Sequence, residues 1–267
     1  MTSRTALGAT TLIAMAFVMG ISPVHGWNNG QGTLYNQPLQ LKLDAEVRKQ
    51  LPDYFEDASV DGLLTESFYP IGWSKDGKFA YYLEPVDEAC GCYFAKLFIL
   101  DLKTDKVLWS YDYSSDDQEN PEKSPQSLQA LWKEKQKQFS DKLREYDIKP
   151  QGSAALLLFP IKHEGDQLTS DLKLKQKEDK PANTFGVGHA ALQLSSERRG
   201  KKTVFEKTYT VEQDGVLPLE MKVLGYVQSP FEPRIALILI EVGRGYEGPP
   251  HVARIRVVGS SLTTGFK

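Results

Sequence analysis

The chain has 267 residues, 40% hydrophobic and 25% charged, ordinary values for a folded protein with a sizeable core. Its 32 basic and 35 acidic side chains leave a formal net charge of −3. Nothing in that balance calls for a polyanionic partner, which removes the electrostatic basis for binding nucleic acid.

Residues 1–26 read as a signal peptide. Arg4 supplies a basic start and Ala6 to Ile21 an uncharged apolar stretch. Pro23 interrupts it, and Val24-His25-Gly26 offers a cleavage site. No later stretch approaches a membrane span; Ile235 to Ile240, the longest apolar run, has the length of a strand. The expected product is periplasmic or secreted, with 27–267 forming one mainly-β domain and no integral membrane segment after cleavage.

Residues 27–40 are rich in Gly and Asn and predict an irregular lead-in. Leu41 to Phe55 predicts a short helix capped by Asp44, with Ala45, Val47 and Leu51 on its apolar face. Residues 67–111 then read as a meander of four antiparallel strands. Tyr69, Ile71 and Trp73 alternate with Phe68, Pro70 and Gly72; after Asp76-Gly77, Phe79, Tyr81 and Leu83 resume the period of two. Asp-Gly suits a tight hairpin because both residues tolerate positive φ. Phe98-Ile99-Leu100 leads to a second turn at Lys103–Lys106, and Val107, Trp109 and Tyr111 alternate beyond it.

The order Trp73-Ser74-Lys75-Asp76-Gly77-Lys78, then Leu97 to Leu102, resembles a blade of a TolB-like or WD40-like β-propeller. That resemblance implies an irregular or incomplete propeller; a β-sandwich is the alternative.

Residues 113–125 are polar and predict an exposed linker. Ser124 and Pro125 suit the N-cap and first position of a long helix over 124–148. Leu128, Leu131, Trp132, Phe139, Leu143 and Tyr146 mark its apolar face, and its mixed-sign polar face reads as solvated. The second β region, 154–267, starts with Ala154 to Phe159 as a short buried run. Leu168, Leu172 and Leu174 then share one side of a strand. Lys175 to Lys180 reads as a charged loop, and His189–Leu194 with Thr203–Tyr209 as a hairpin.

Residues 221–258 repeat the logic of the meander. Leu224-Gly225-Tyr226 parallels Ile71-Gly72-Trp73, and a turn, an apolar strand, a loop and another strand follow in both. Val223 to Tyr226 and Gly245 to Pro249 resemble the C-terminal part of a domain-of-unknown-function family of predicted secreted proteins. The family implies export and no particular activity.

Chemistry-bearing motifs are sparse: there is no HExxH, no GxSxG and no phosphate-binding loop. No cofactor is expected, and the reading leans away from an enzyme. Cys90-Gly91-Cys92 falls in the loop between the second and third strands. In an oxidising compartment the pair reads as a structural loop disulfide, with a redox-active pair or a metal site as the alternatives. A second loop gathers Arg244, Tyr246, Glu247 and His251 among Gly and Pro residues, a composition suited to recognition. The reading is a binding or scaffold protein with an envelope or extracellular protein partner. A thiol–disulfide or metal-handling role for Cys90 and Cys92 is the alternative. If the two loops are equivalent, they line one rim.

Overall fold

The computed structural model of the chain describes residues 33–56, 62–179 and 184–267; the candidate signal peptide lies outside them. Residues 34–267 form one compact unit. It is mainly β, built from antiparallel meanders with one long helix, as the periodicity predicts.

A short helix α1 (Asp44–Gln50) leads to β1 (Leu63–Thr65), β2 (Ser67–Trp73), β3 (Lys78–Glu84), β4 (Phe94–Asp101) and β5 (Lys106–Ser114). The long helix α2 (Leu128–Glu145) follows, then β6 (Lys149–Pro150), β7 (Ile161–His163), β8 (Asp166–Asp179), β9 (Thr184–Ser196) and β10 (Gly200–Thr208). One turn of helix, α3 (Val211–Asp214), precedes β11 (Glu220–Gln228), β12 (Arg234–Gly243) and β13 (His251–Ser261).

Among the described residues these strands form three sheets. The helix-backed sheet has the order β5-β4-β3-β2-β6, the central sheet β1-β13-β12-β11 and the outer sheet β10-β9-β8-β7. Strands β2 to β5 pair consecutively and antiparallel, so the expected meander forms. Its hairpin is fastened by Ser74, whose hydroxyl accepts the Lys78 N–H at 2.8 Å and donates to Asp76 at 2.6 Å. Gly77 supplies the positive φ of 92° that the turn requires.

The layers follow from which side of each strand is apolar. Leu131, Trp132, Phe139 and Leu143 of α2 pack on Tyr82, Leu97 and Ile99. The other face of that sheet, with Phe68, Trp73, Phe79 and Tyr81, meets Ile238, Ile240, Ile255 and Val257 of the central sheet. The reverse of the central sheet, with Ile235, Leu237 and Leu239, packs on Leu168, Leu192 and Leu194. Strand β12 is therefore covered on both faces, which accounts for its unbroken apolar run.

The suspected internal repeat has a geometric counterpart. Pairing of β2 with β3 skips Ile71, and pairing of β11 with β12 skips Leu224. Each bulge immediately precedes a glycine against which another backbone lies. A Cβ on Gly72 would fall 1.9 Å from the Lys149 carbonyl oxygen, and one on Gly225 would fall 2.4 Å from that of Leu157. Residues 149–157 thus touch the edges of two sheets at matching positions.

Several boundaries differ from expectation. Leu43, not Asp44, precedes α1, and Ala45 is exposed while Val47 and Leu51 are buried. Helix α2 is capped by Ser127, whose hydroxyl accepts the Ala130 N–H; Ser124 instead closes a 3-10 turn over Pro121–Lys123. Residues 154–159 are not a buried strand: only Leu157 bridges, to Tyr226, and Leu157 and Leu158 are exposed. The charged residues 175–179 continue β8 against β9 rather than looping out. They form strand because β9 supplies a ladder that composition does not reveal.

A cleft between two sheets as candidate functional site

The helix-backed and central sheets diverge at one side. Between them opens a cleft of about 940 Å3, within the size range of ligand sites. Alternation along β4 builds one wall: Ala95, Leu97 and Ile99 turn toward α2, so Phe94, Lys96, Phe98 and Leu100 turn into the cleft. Val107 of β5, 55% exposed, extends that wall. The opposite side is β13, through Ile255 and Val257.

Charged side chains line much of the cleft. Among the described lining residues are seven carboxylates, Glu66, Glu88, Asp105, Asp112, Asp116, Asp117 and Glu241, against Lys96, Arg254 and Arg256. Glu66 accepts the Ile255 N–H at 2.7 Å. Burial pushes its carboxyl above the ordinary range, while the Ile255 N–H and Arg254 partly counter the rise. Arg256 is bound through Nε to Glu241, which also accepts the Tyr209 hydroxyl at 2.9 Å. Burial works against the Arg256 charge, and Glu241 more than offsets it, so its pKa is raised.

The two loops singled out in the sequence meet at one end of the cleft. The Tyr246 N–H donates to Glu88 Oε2 at 2.8 Å. A smaller cavity of about 440 Å3 lies between Asp87–Ala89 and Tyr246–Pro250, and Glu88 lines both spaces. Tyr246 is 80% exposed and Glu247 lines the smaller cavity. Arg244 and His251 turn elsewhere. The His251 ring meets Tyr54 edge-on at 5.9 Å, and its Nδ1 accepts the Gly245 N–H at 3.3 Å. Burial, followed by the charge of Arg244, lowers its pKa. Nε and Nη2 of Arg244 are buried without a hydrogen-bond partner among the described residues. The four loop residues therefore divide between two places.

Cys90 and Cys92 form a disulfide with their Cα atoms 5.1 Å apart. Asp87 organises the same loop, accepting the N–H groups of Ala89, Cys90 and Cys92 at 3.1–3.2 Å. Burial is the largest single influence on Asp87 and acts against its charge, but the N–H groups of Ala89, Cys90, Gly91 and Cys92 together outweigh it and hold the pKa below the usual value. Among the described residues, no three His, Cys, Asp or Glu side chains gather closely enough to hold a metal ion.

Sequence reasoning did not find Glu66, Phe98, Asp105 or β13 as parts of a site. The face of β4 that bears Phe98 is only partly covered, and its residues meet β13 across a distance that no local pattern records. Comparisons with family models, curated proteins and solved structures found no match to this chain. Among the described residues, no helix is long and apolar enough to cross a membrane.

Proposed function

We propose that the chain is an exported binding or scaffold protein that holds an envelope or extracellular protein partner in the inter-sheet cleft. The observation that carries this reading is Glu88. It lines the cleft and fastens the Tyr246 loop to the Cys90–Cys92 loop, so a recognition rim continues into an apolar-walled trough. Loops held on rigid sheets are where binding residues concentrate. The signal-peptide pattern and the resemblance to predicted secreted proteins support export.

The test is site-specific photocrosslinking in cells that produce the protein. A benzophenone amino acid at Phe98 is expected to trap a reproducible partner, and one at Lys133, on the exposed face of α2, is not. No adduct at Phe98, or identical adducts at both positions, overturns the reading. N-terminal sequencing of the exported protein is expected to begin at Trp27.

The disulfide belongs to this rim as a loop staple. A redox role has an electrostatic obstacle, because the Cys90 sulfur lies 3.4 Å from the Asp87 carboxylate. An adjacent anion disfavours the thiolate needed for exchange.

A further inference from the structure

The edge of β13 is left open in the cleft. Strand β1 pairs parallel with β13 only at Leu63–His251, Leu64–Val252 and Thr65–Ala253. The chain then departs into β2, and among the described residues no strand pairs with that side of β13 from Arg254 onward. The donors on this side alternate along the strand. The Ile255 N–H is taken by the Glu66 carboxylate at 2.7 Å and the Gly259 N–H by the Asp105 carboxylate at 2.6 Å. Register with β12 is unbroken across 252–261, so the intervening Val257 presents its N–H and carbonyl to the same side. Two side-chain carboxylates thus stand where carbonyls of a neighbouring strand would stand. Between them is one strand residue able to form a backbone pair.

We infer that the cleft receives a short, basic, extended polypeptide segment, which adds as a strand to the open edge of β13 around Val257. The inference rests on the reading of the cleft as the binding site and names the chemistry of its occupant. An added strand makes two backbone hydrogen bonds to Val257. Between the two carboxylates the free edge is Arg256 to Val258, about three residues of strand and roughly 7 Å at about 3.4 Å per residue, beyond which the segment leaves the edge. Apolar side chains of the segment rest on Phe98 and Val107, and basic ones face the carboxylates of the cleft. The excess of carboxylates over cations makes the cleft complementary to a cation-bearing partner. The same carboxylates oppose addition of an acidic strand, and a second copy of this chain, with net charge −3, is disfavoured too.

The test uses the full chain and three probes: an acetylated, amidated heptapeptide of alternating lysine and valine, its glutamate–valine counterpart, and the amphiphilic dye anilinonaphthalene sulfonate. Amide NMR reports where each binds and how fast Val257 exchanges. The lysine peptide is expected to slow exchange of the Val257 amide by about tenfold or more at saturation. Methylating the backbone nitrogen of its central valine is expected to abolish that protection. The double variant Asp116→Lys/Asp117→Lys, at two exposed positions, is expected to weaken the lysine peptide by about tenfold and to relieve exclusion of the glutamate peptide.

Equal binding of both peptides to the wild-type chain, indifference to N-methylation, or protection of Val257 by self-association without peptide overturns the inference. If the dye shifts the Phe98 and Val107 amides while no peptide protects Val257, the strand inference fails and the cleft stands as a binding site. If no probe perturbs those amides, the reading of the cleft fails as well.

Discussion

Asp105 fastens the β4–β5 turn to the central sheet, and its substitution separates two physical contributions. The residue has φ of 54°, in the left-handed region, and its carboxylate accepts the Gly259 N–H. Asn tolerates that backbone and keeps an acceptor, so Asp105→Asn is expected to change stability by less than about 0.5 kcal/mol. Asp105→Gly keeps the backbone free but loses the bond, worth about 1 kcal/mol, and adds about 0.5 kcal/mol of unfolded-state entropy. Asp105→Ala loses the bond and forces an unbranched Cβ into the left-handed region, a further 1–2 kcal/mol, for a total of about 2–3 kcal/mol. For a domain of this size each kcal/mol lowers Tm by about 2–4 °C. Urea titrations followed by tryptophan fluorescence should rank the variants Asn, Gly, Ala in falling stability. A Gly variant less stable than the Ala variant refutes the backbone contribution. An Ala variant within about 0.5 kcal/mol of wild type refutes the account of the turn.

Gly72→Ala and Gly225→Ala each place a methyl group against a carbonyl oxygen. Each is expected to cost about 1–3 kcal/mol, with hydrogen exchange accelerated at Gln151 and Leu157 respectively. The raised pKa of Glu66 means that the folded state holds its proton more tightly than the unfolded state does. Its contribution to stability therefore falls as pH rises from the ordinary carboxylate range through the raised value. Glu66→Gln should flatten that part of the pH–Tm curve without lowering Tm at pH 7, whereas Glu66→Ala, which orphans the Ile255 N–H, should cost about 1–3 kcal/mol. In the Cys90 loop, Cys90→Ser/Cys92→Ser is expected to cost no more than about 1.5 kcal/mol, because so short a ring removes little unfolded-state entropy. Asp87→Ala, which strips three N–H groups of their acceptor, is expected to disturb the Tyr246 amide shift more than the double serine variant does.

Much of the architecture was legible because strand periodicity records which faces are covered. The alternation in 67–111 located the strands but predicts half-buried ones, whereas the sheet is covered on both faces, one by α2 and one by the central sheet. The unbroken run Ile235 to Ile240 reports the doubly covered β12. Boundaries were less legible where two local solutions compete. Ser124 and Ser127 are both acceptable helix caps, and the 3-10 turn at Pro121 to Lys123 consumes the first. At 175–179 the charged composition favours a loop, yet pairing with β9 supplies backbone partners for every residue.

The sequence by itself determined the strand order within the meander, the apolar face of α2, the Asp76-Gly77 turn and the loops that carry Cys90 and Tyr246. These follow from local patterns, each written within a few neighbouring residues. Only the tertiary structure decided that Glu88 reaches the Tyr246 N–H, that Arg244 and His251 turn away from it, and that Glu66 and Asp105 bracket Val257. Each of these last contacts joins residues more than 150 positions apart. They depend on the angle at which two sheets diverge, which no single strand's periodicity encodes.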